Sequence, residues 1–167
     1  MSLSRRSDSS TDATLQRPRR TKSLLSRAIA LLARRDHSRA ELYRKLSPHV
    51  REDDEPGEID RVLDELDRNG LLSDERFASA IARSRSQRFG DARIRYDLRK
   101  FGVADDVSAA ALSTLSETEV SRADAVRSKR FAALPASAAE RAKQARFLQA
   151  RGFSLDSIYR VLRGRAD

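Results

Sequence analysis

Six of the cations between residues 76 and 100 fall into rows: Arg76, Arg83, Arg93, Arg95, Arg99 and Lys100. Guanidinium and ammonium groups are suited to holding phosphates and carboxylates. The rows follow from about 100° of rotation per helical residue. In a helix predicted over 74–88, the stripe Phe77, Ala80, Ile81 and Ser84 defines an inner face, and Arg76, Arg83 and Gln87 run along one flank. In a helix predicted over 91–101, Ile94, Leu98 and Phe101 face inward. Arg93 and Lys100 then share one flank, and Arg95 and Arg99 the other. Local pairing, such as Asp91 with Arg95, is the plainer role for any single member. Three basic rows on one small unit favour a contact surface.

Residues for bond-making chemistry are scarce. The two histidines, His37 in a turn before a helix cap and His49 in a loop, have no carboxylate pattern of a triad or metal site around them. The run Glu52-Asp53-Asp54-Glu55 lacks the alternating ligands and central glycine of a calcium loop, and reads as a solvated connector. There is no cysteine, which excludes disulfides and thiol chemistry, and no glycine-rich phosphate loop. Nothing here predicts an enzyme, a metal or a cofactor.

Charge points to the kind of partner. The net charge is +9, but it is unevenly distributed. Residues 1–21 sum to +3, 22–70 to −1, 71–116 to +2 and 117–167 to +5. A basic C-terminal part implies a polyanion or an acidic protein groove. No apolar run approaches the roughly 18 residues of a membrane span. A secretory leader pattern is also lacking, so the expected location is cytoplasmic.

The elements that must position these cations are helices. Residues 1–21 are rich in Ser, Thr and Arg with little to bury, and read as a disordered basic tail. From residue 22 onward helical periodicity dominates, which predicts an all-α fold of about nine helices. They fall at 22–34, 39–46 and 56–69, then 74–88, 91–101 and 105–115, then 117–133, 138–151 and 155–164. Capping boxes are predicted at Ser38/Glu41, Ser116/Glu119 and Ser137/Glu140. Ser73 and Ser154 are further starts, and Pro56 suits a first helical position. Ser47-Pro48, Asn69-Gly70, Gly90, Gly102, Pro135 and Gly152 mark stops.

The helices form a repeat. Leu25, Ala28, Ile29, Ala40, Leu42 and Leu46 fall on Phe77, Ala80, Ile81, Ala92, Ile94 and Leu98, each 52 positions later. A third copy matches only in its latter half, where Leu98, Gly102 and Val103 fall on Leu148, Gly152 and Phe153 at an offset of 50. Three tandem three-helix repeats are therefore expected, at 22–70, 71–116 and 117–167. Each unit is too small to bury its own stripe well, so they should stack into an elongated curved array with long exposed faces. A sequence-specific helix-turn-helix reader fits less well, because the duplicated units present different residues at their candidate contact positions.

Three segments also resemble a known family. "RAIALLARRDHSRAELYRKL" (27–46), "GLLSDERFASAIARSRSQRFGDARIRYDL" (70–98) and "RFLQARGFSLDSIYRVL" (146–162) are similar, in order and spacing, to signatures of the RecX family. The family usually carries Pro where this chain has Asp91. The resemblance implies a regulator built of tandem three-helix repeats, with no catalysis and no cofactor. Its implied partner is the RecA nucleoprotein filament, whose ATPase, strand-exchange and coprotease activities it would inhibit. Carried over by position, contact roles fall on Arg83, Arg88, Arg93, Arg95 and Lys100; Arg76 and Arg99 join them from the rows above. A monomer is expected, with at most weak nonspecific DNA binding. The rival from another class is a nonspecific DNA-coating helical protein, and a helical scaffold for an unrelated partner is a third.

Overall fold

The structure is a computed structural model that describes residues 23–52 and 54–164. The tail assigned to residues 1–21, and Asp53 of the acidic run, lie outside the described residues. Within them the chain forms nine α-helices and no strand. They are α1 (Leu24–Leu32), α2 (Arg39–Leu46), α3 (Glu58–Arg68), α4 (Asp74–Ser86), α5 (Asp91–Lys100), α6 (Asp105–Ser113), α7 (Glu119–Ser128), α8 (Ala138–Ala150) and α9 (Leu155–Arg163).

Serine starts five of them. Ser23, Ser38, Ser73, Ser137 and Ser154 each accept a hydrogen bond from the third amide beyond, satisfying a donor that the first helical turn leaves open. The reciprocal half of the predicted boxes does not form. Glu41 turns to Arg35 instead, and Glu140 accepts from the Ala136 amide at 2.7 Å. Ser116 is no cap at all. It sits in a 3-10 turn, Ser116–Thr118, and Thr118 precedes α7, because Glu119 is drawn into the interior. Pro56 likewise lies before the start of α3, whose cap is Gly57.

Apolar periodicity is converted into three clusters. Ile59, Val62, Leu63 and Leu66, at i, i+3, i+4 and i+7 of α3, are all buried with Leu24, Ala28, Leu42, Leu46 and Leu72. The second cluster joins α4, α5 and α6 around Phe77, Ile94, Leu98, Val103 and Leu112, with Phe77 edge-on to Phe101 at 5.3 Å between centroids. The third gathers Ala123, Val126, Leu148, Phe153, Ile158, Val161 and Leu162 from α7 to α9.

Burial revises the inner face of α4. Phe77, Ala78, Ala82 and Ser86 are buried, Ala80 and Ile81 are half-buried, and Ser84 is exposed. The duplication has a matching shift. Leu42 and Leu46 correspond to Ile94 and Leu98 at 52 residues, all completely buried. In the first helices, buried Leu24 and Ala28 match Ala78 and Ala82 at 54. The connection after α4, residues 87–90, is two residues shorter than that after α1, residues 33–38, which accounts for the difference.

The second helix of each set joins one unit to the next through its ends. At the first junction Ser38 Oγ donates to the Phe101 carbonyl at 2.5 Å, and Gly102 lies against Ala40. At the second, the Gly90 amide donates to the Arg151 carbonyl at 2.9 Å and the Ala92 amide to the Gly152 carbonyl at 3.2 Å. Both sockets are the same C-terminal turn. Gly102 and Gly152 have φ of +77° and +80°, and the amides of Val103 and Phe153 reach back to Leu98 and Leu148. Ala40 and Ala92 stand 52 apart and Gly102 and Gly152 stand 50 apart, so one mode of docking is used twice.

Gly90 is at an ordinary φ of −79°, so its role is close approach, not backbone freedom. A Cβ there would collide with the Gly152 carbonyl and the Phe153 amide. Gly90→Ala should therefore destabilise the protein by about 1–3 kcal/mol, the usual cost of overpacking. A lowered urea midpoint would show it, and an unchanged midpoint would mean that the second junction is loosely packed.

Candidate functional site

The predicted cations do not share one environment. Arg76 is drawn into the first junction: its Nε lies 2.9 Å from Asp36, and its terminal nitrogens donate to the carbonyls of Gly70 and Leu71. Arg99 pairs with Asp105 at 3.1 Å. Arg93 lies 3.4 Å from buried Asp97 and 5.7 Å from the ring centroids of both Phe89 and Tyr96. Arg83, Arg88 and Arg95 have exposed side chains with no ion-pair partner among the described residues. Lys100 is exposed and sits 4.8 Å from the Tyr96 ring centroid. The anticipated Asp91–Arg95 pair is absent, because Asp91 bonds Arg122 at 2.7 Å.

The outer face of α5 thus has an aromatic centre. Tyr96 is 50% exposed, with Arg93 and Lys100 on one side and Arg95 and Arg99 on the other. Sequence reasoning passed over Tyr96, although its place opposite the inward residues Ile94 and Leu98 was readable from periodicity. A phenol ring beside guanidinium and ammonium groups gains cation–π attraction and leaves apolar area for a partner. Such a face can hold anions and stack planar groups.

Beneath it lies a buried polar frame that sequence reasoning also missed. Arg85 pairs with Asp97, which is only 6% exposed. Arg122 donates to the carbonyls of Ser86 and Phe89 as well as to Asp91, which fixes the α4–α5 turn against α7. The Glu119 carboxylate accepts from Ser154 Oγ at 2.6 Å, Ser157 Oγ at 2.7 Å and the amides of Asp91 and Ser154 at 3.3 Å. Two helix N-termini, those of α5 and α9, converge on this one anion. Burial pushes the Glu119 pKa up, but the hydrogen bonds from Ser154, Ser157 and the amides outweigh it and hold it below the usual value.

His37 is buried at 3% exposure, where its Nδ1–H donates to the Arg35 carbonyl at 2.9 Å. Burial lowers its pKa, outweighing the opposing effect of Glu41 at 3.9 Å. Its place in a turn was expected; its burial was not. Among the described residues no three His, Asp or Glu side chains are placed to hold a metal. No helix of the described residues is long and apolar enough to cross a membrane.

Three-helix units docked end to end, with a cationic outer face on the central one, define an all-α protein of tandem helical domains. Residues 73–112 match the family model of the second three-helix domain of RecX, and residues 117–162 match that of the third. The chain is 47% identical over 141 residues to the regulatory protein RecX of Leptothrix cholodnii, covering 84% of this chain and 88% of that one. To the regulatory protein RecX of Ralstonia nicotianae it is 43% identical over 147 residues, covering 88% and 91%. The chain belongs to the RecX family. Its fold is also that of the crystal structure of RecX from Lactobacillus salivarius, with a TM-score of 0.73 at 20% identity over 84% of this chain and 92% of that one.

Proposed function

We propose that this protein binds the RecA nucleoprotein filament and inhibits the recombinase, ATPase and coprotease activities of RecA, and so modulates homologous recombination and the SOS response. Membership of a family of regulatory proteins supports a regulatory role. The observation that carries the reading lies on α4, α5 and the turn between them, where Arg83, Arg88, Arg95 and Lys100 are exposed without ion-pair partners among the described residues. Cations left unneutralised on a rigid helical unit cost little to bring against an anionic partner, because no internal pair must be broken first. Arg93 contributes from beside Tyr96, whereas Arg76 and Arg99 serve mainly as internal ties. The protein acts as a cytoplasmic monomer without a cofactor. Rigidly docked units reach neighbouring sites on a filament together, which turns modest contacts into useful avidity.

Changing Arg83, Arg95 and Lys100 together to Glu tests this. None of the three contributes to a core or an internal ion pair, so the helical content should survive. Opposed like charge at an interface costs several kcal/mol. Inhibition of RecA ATPase on single-stranded DNA should weaken at least ~10-fold, the effect of ~1.4 kcal/mol. A folded triple variant that inhibits as well as the parent would place the contact surface elsewhere.

A further inference from the structure

The two junctions share a geometry but not the bonds that hold it. At a spacing of 52, Ser38 stands where Gly90 stands and Arg39 where Asp91 stands. Gly90 lets two backbones meet at the second junction, and a Cβ there would collide. Ser38 carries a Cβ, and its hydroxyl, not its amide, reaches the Phe101 carbonyl. Among the described residues no backbone–backbone hydrogen bond joins the first unit to the second. The matching amides also meet different carboxylates. The Asp91 amide donates to Glu119, which takes Ser154 and Ser157 as well. The Arg39 amide donates to Asp74 at 2.7 Å, and Asp74 accepts from no other donor among the described residues. Burial raises the Asp74 pKa and Glu75 and Asp67 add to this, against the Arg39 amide, whereas the Glu119 pKa is lowered. The charge of Asp74 is therefore the less well compensated of the two. The remaining tie, Arg76 on Asp36 at 2.9 Å, is a partly exposed ion pair of a kind that contributes little. Each apolar cluster stays within its own unit, so no shared core reinforces either junction. Leu72 is buried in the first cluster and α4 begins at Asp74, which leaves Ser73 alone between two packed bodies.

We propose that the first junction is a latched hinge. The first unit swings about Ser73 and is held closed by Asp74 on the Arg39 amide and by Asp36 on Arg76, while the second and third units move as one body. Domains move against each other unless their interface is large and apolar, and a few residues at the end of an element suffice to absorb the change. The structure is the closed form, with all three units docked. Opening redirects the first unit and leaves the cations of α4 and α5 in place, so it sets how many units can meet a partner at once. The hinge is a property of the chain alone and needs no partner to operate.

The test measures distances between paired spin labels on the whole chain. Because the chain has no cysteine, introduced cysteines are labelled at the chosen sites alone. Glu65→Cys with Ala109→Cys spans the first junction, and Ala109→Cys with Gln149→Cys spans the second. Ala30→Cys with Glu65→Cys lies within the first unit, and all four positions are exposed. With the latch intact, each pair should give one narrow distance distribution. Asp36→Ala combined with Asp74→Ala should about double the width across the first junction and leave the other two pairs unchanged, as release of a hinge does. An unchanged width across the first junction overturns the hinge. So does equal broadening at both junctions, since the looseness would then be general. Broadening within the first unit also overturns it, because that unit would have lost its fold instead of swinging.

Discussion

Ile94→Asp is expected to unfold the α4–α6 unit. Ile94 has no solvent exposure and lies among Phe77, Leu98 and Val103 in the second cluster. The cluster offers a carboxylate no counter-ion in place of the lost side chain, because Arg85 is already committed to Asp97. Burying an unpaired charge costs several kcal/mol, and a domain of this size has only about 5–15 kcal/mol in reserve. Both junctions run through α5, so the loss should spread to the neighbouring units. Thermal unfolding followed by circular dichroism should show a transition lowered by tens of degrees or abolished. Ile94→Ala, which only opens a cavity, should cost less, about 2–5 kcal/mol. An undiminished transition in the Asp variant would mean that this face of α5 is not inward.

The second large effect falls on Glu119. Replacing it by Ala leaves the Ser154 and Ser157 hydroxyls and two amides without their acceptor at the meeting of α5, α7 and α9. Hydrogen bonds to a charged group contribute about 1.5–3 kcal/mol each, and buried donors left unpaired add their desolvation. A loss of about 3 kcal/mol or more follows, read as a lower denaturant midpoint. The parent protein should also be acid-sensitive at this point. Hydrogen bonding depresses the Glu119 pKa in the folded state, so the unfolded chain takes up the proton first. The stabilisation is complete above the unfolded value of about 4.3 and is lost as pH falls through the lower folded value. Glu41 is depressed as well: burial opposes ionisation, but the Arg35 hydrogen bond and nearby positive charge prevail, so it adds in the same direction. In Glu119→Ala the fall in stability below a pH of about 4.3 should be shallower than in the parent. Parallel pH profiles would show that folding does not lower the Glu119 pKa.

Helix starts, inward faces and the all-α class were legible because their causes are local. A serine at the cap, glycine at the stop and an apolar residue every third or fourth position act within a few residues of themselves. The three-helix units of the second and third sets were legible in the same way, as was kinship with the RecX family. The face of α4 was misjudged where alanine, half apolar and indifferent to burial, left the stripe free to rotate. Ser116/Glu119 had every local mark of a capping box, yet Glu119 serves two helices from other parts of the chain instead.

What the sequence determined by itself was therefore the helices, their grouping and the abundance of positive charge. Which charges remain available was decided only by tertiary structure. Arg76 and Arg99 resemble Arg83 and Arg95 along the chain, but packing brings Asp36 and Asp105 to the first two and leaves the second two open. Tyr96 becomes the centre of a cationic face in the same way, because α5 is fixed at both ends by Gly102 and Gly152 turns. The physical reason is range. Caps and periodicity act over one or two turns of helix, whereas an ion pair depends on which segment folding places within about 4 Å, 40 residues away for Arg76 and across the turn after α5 for Arg99.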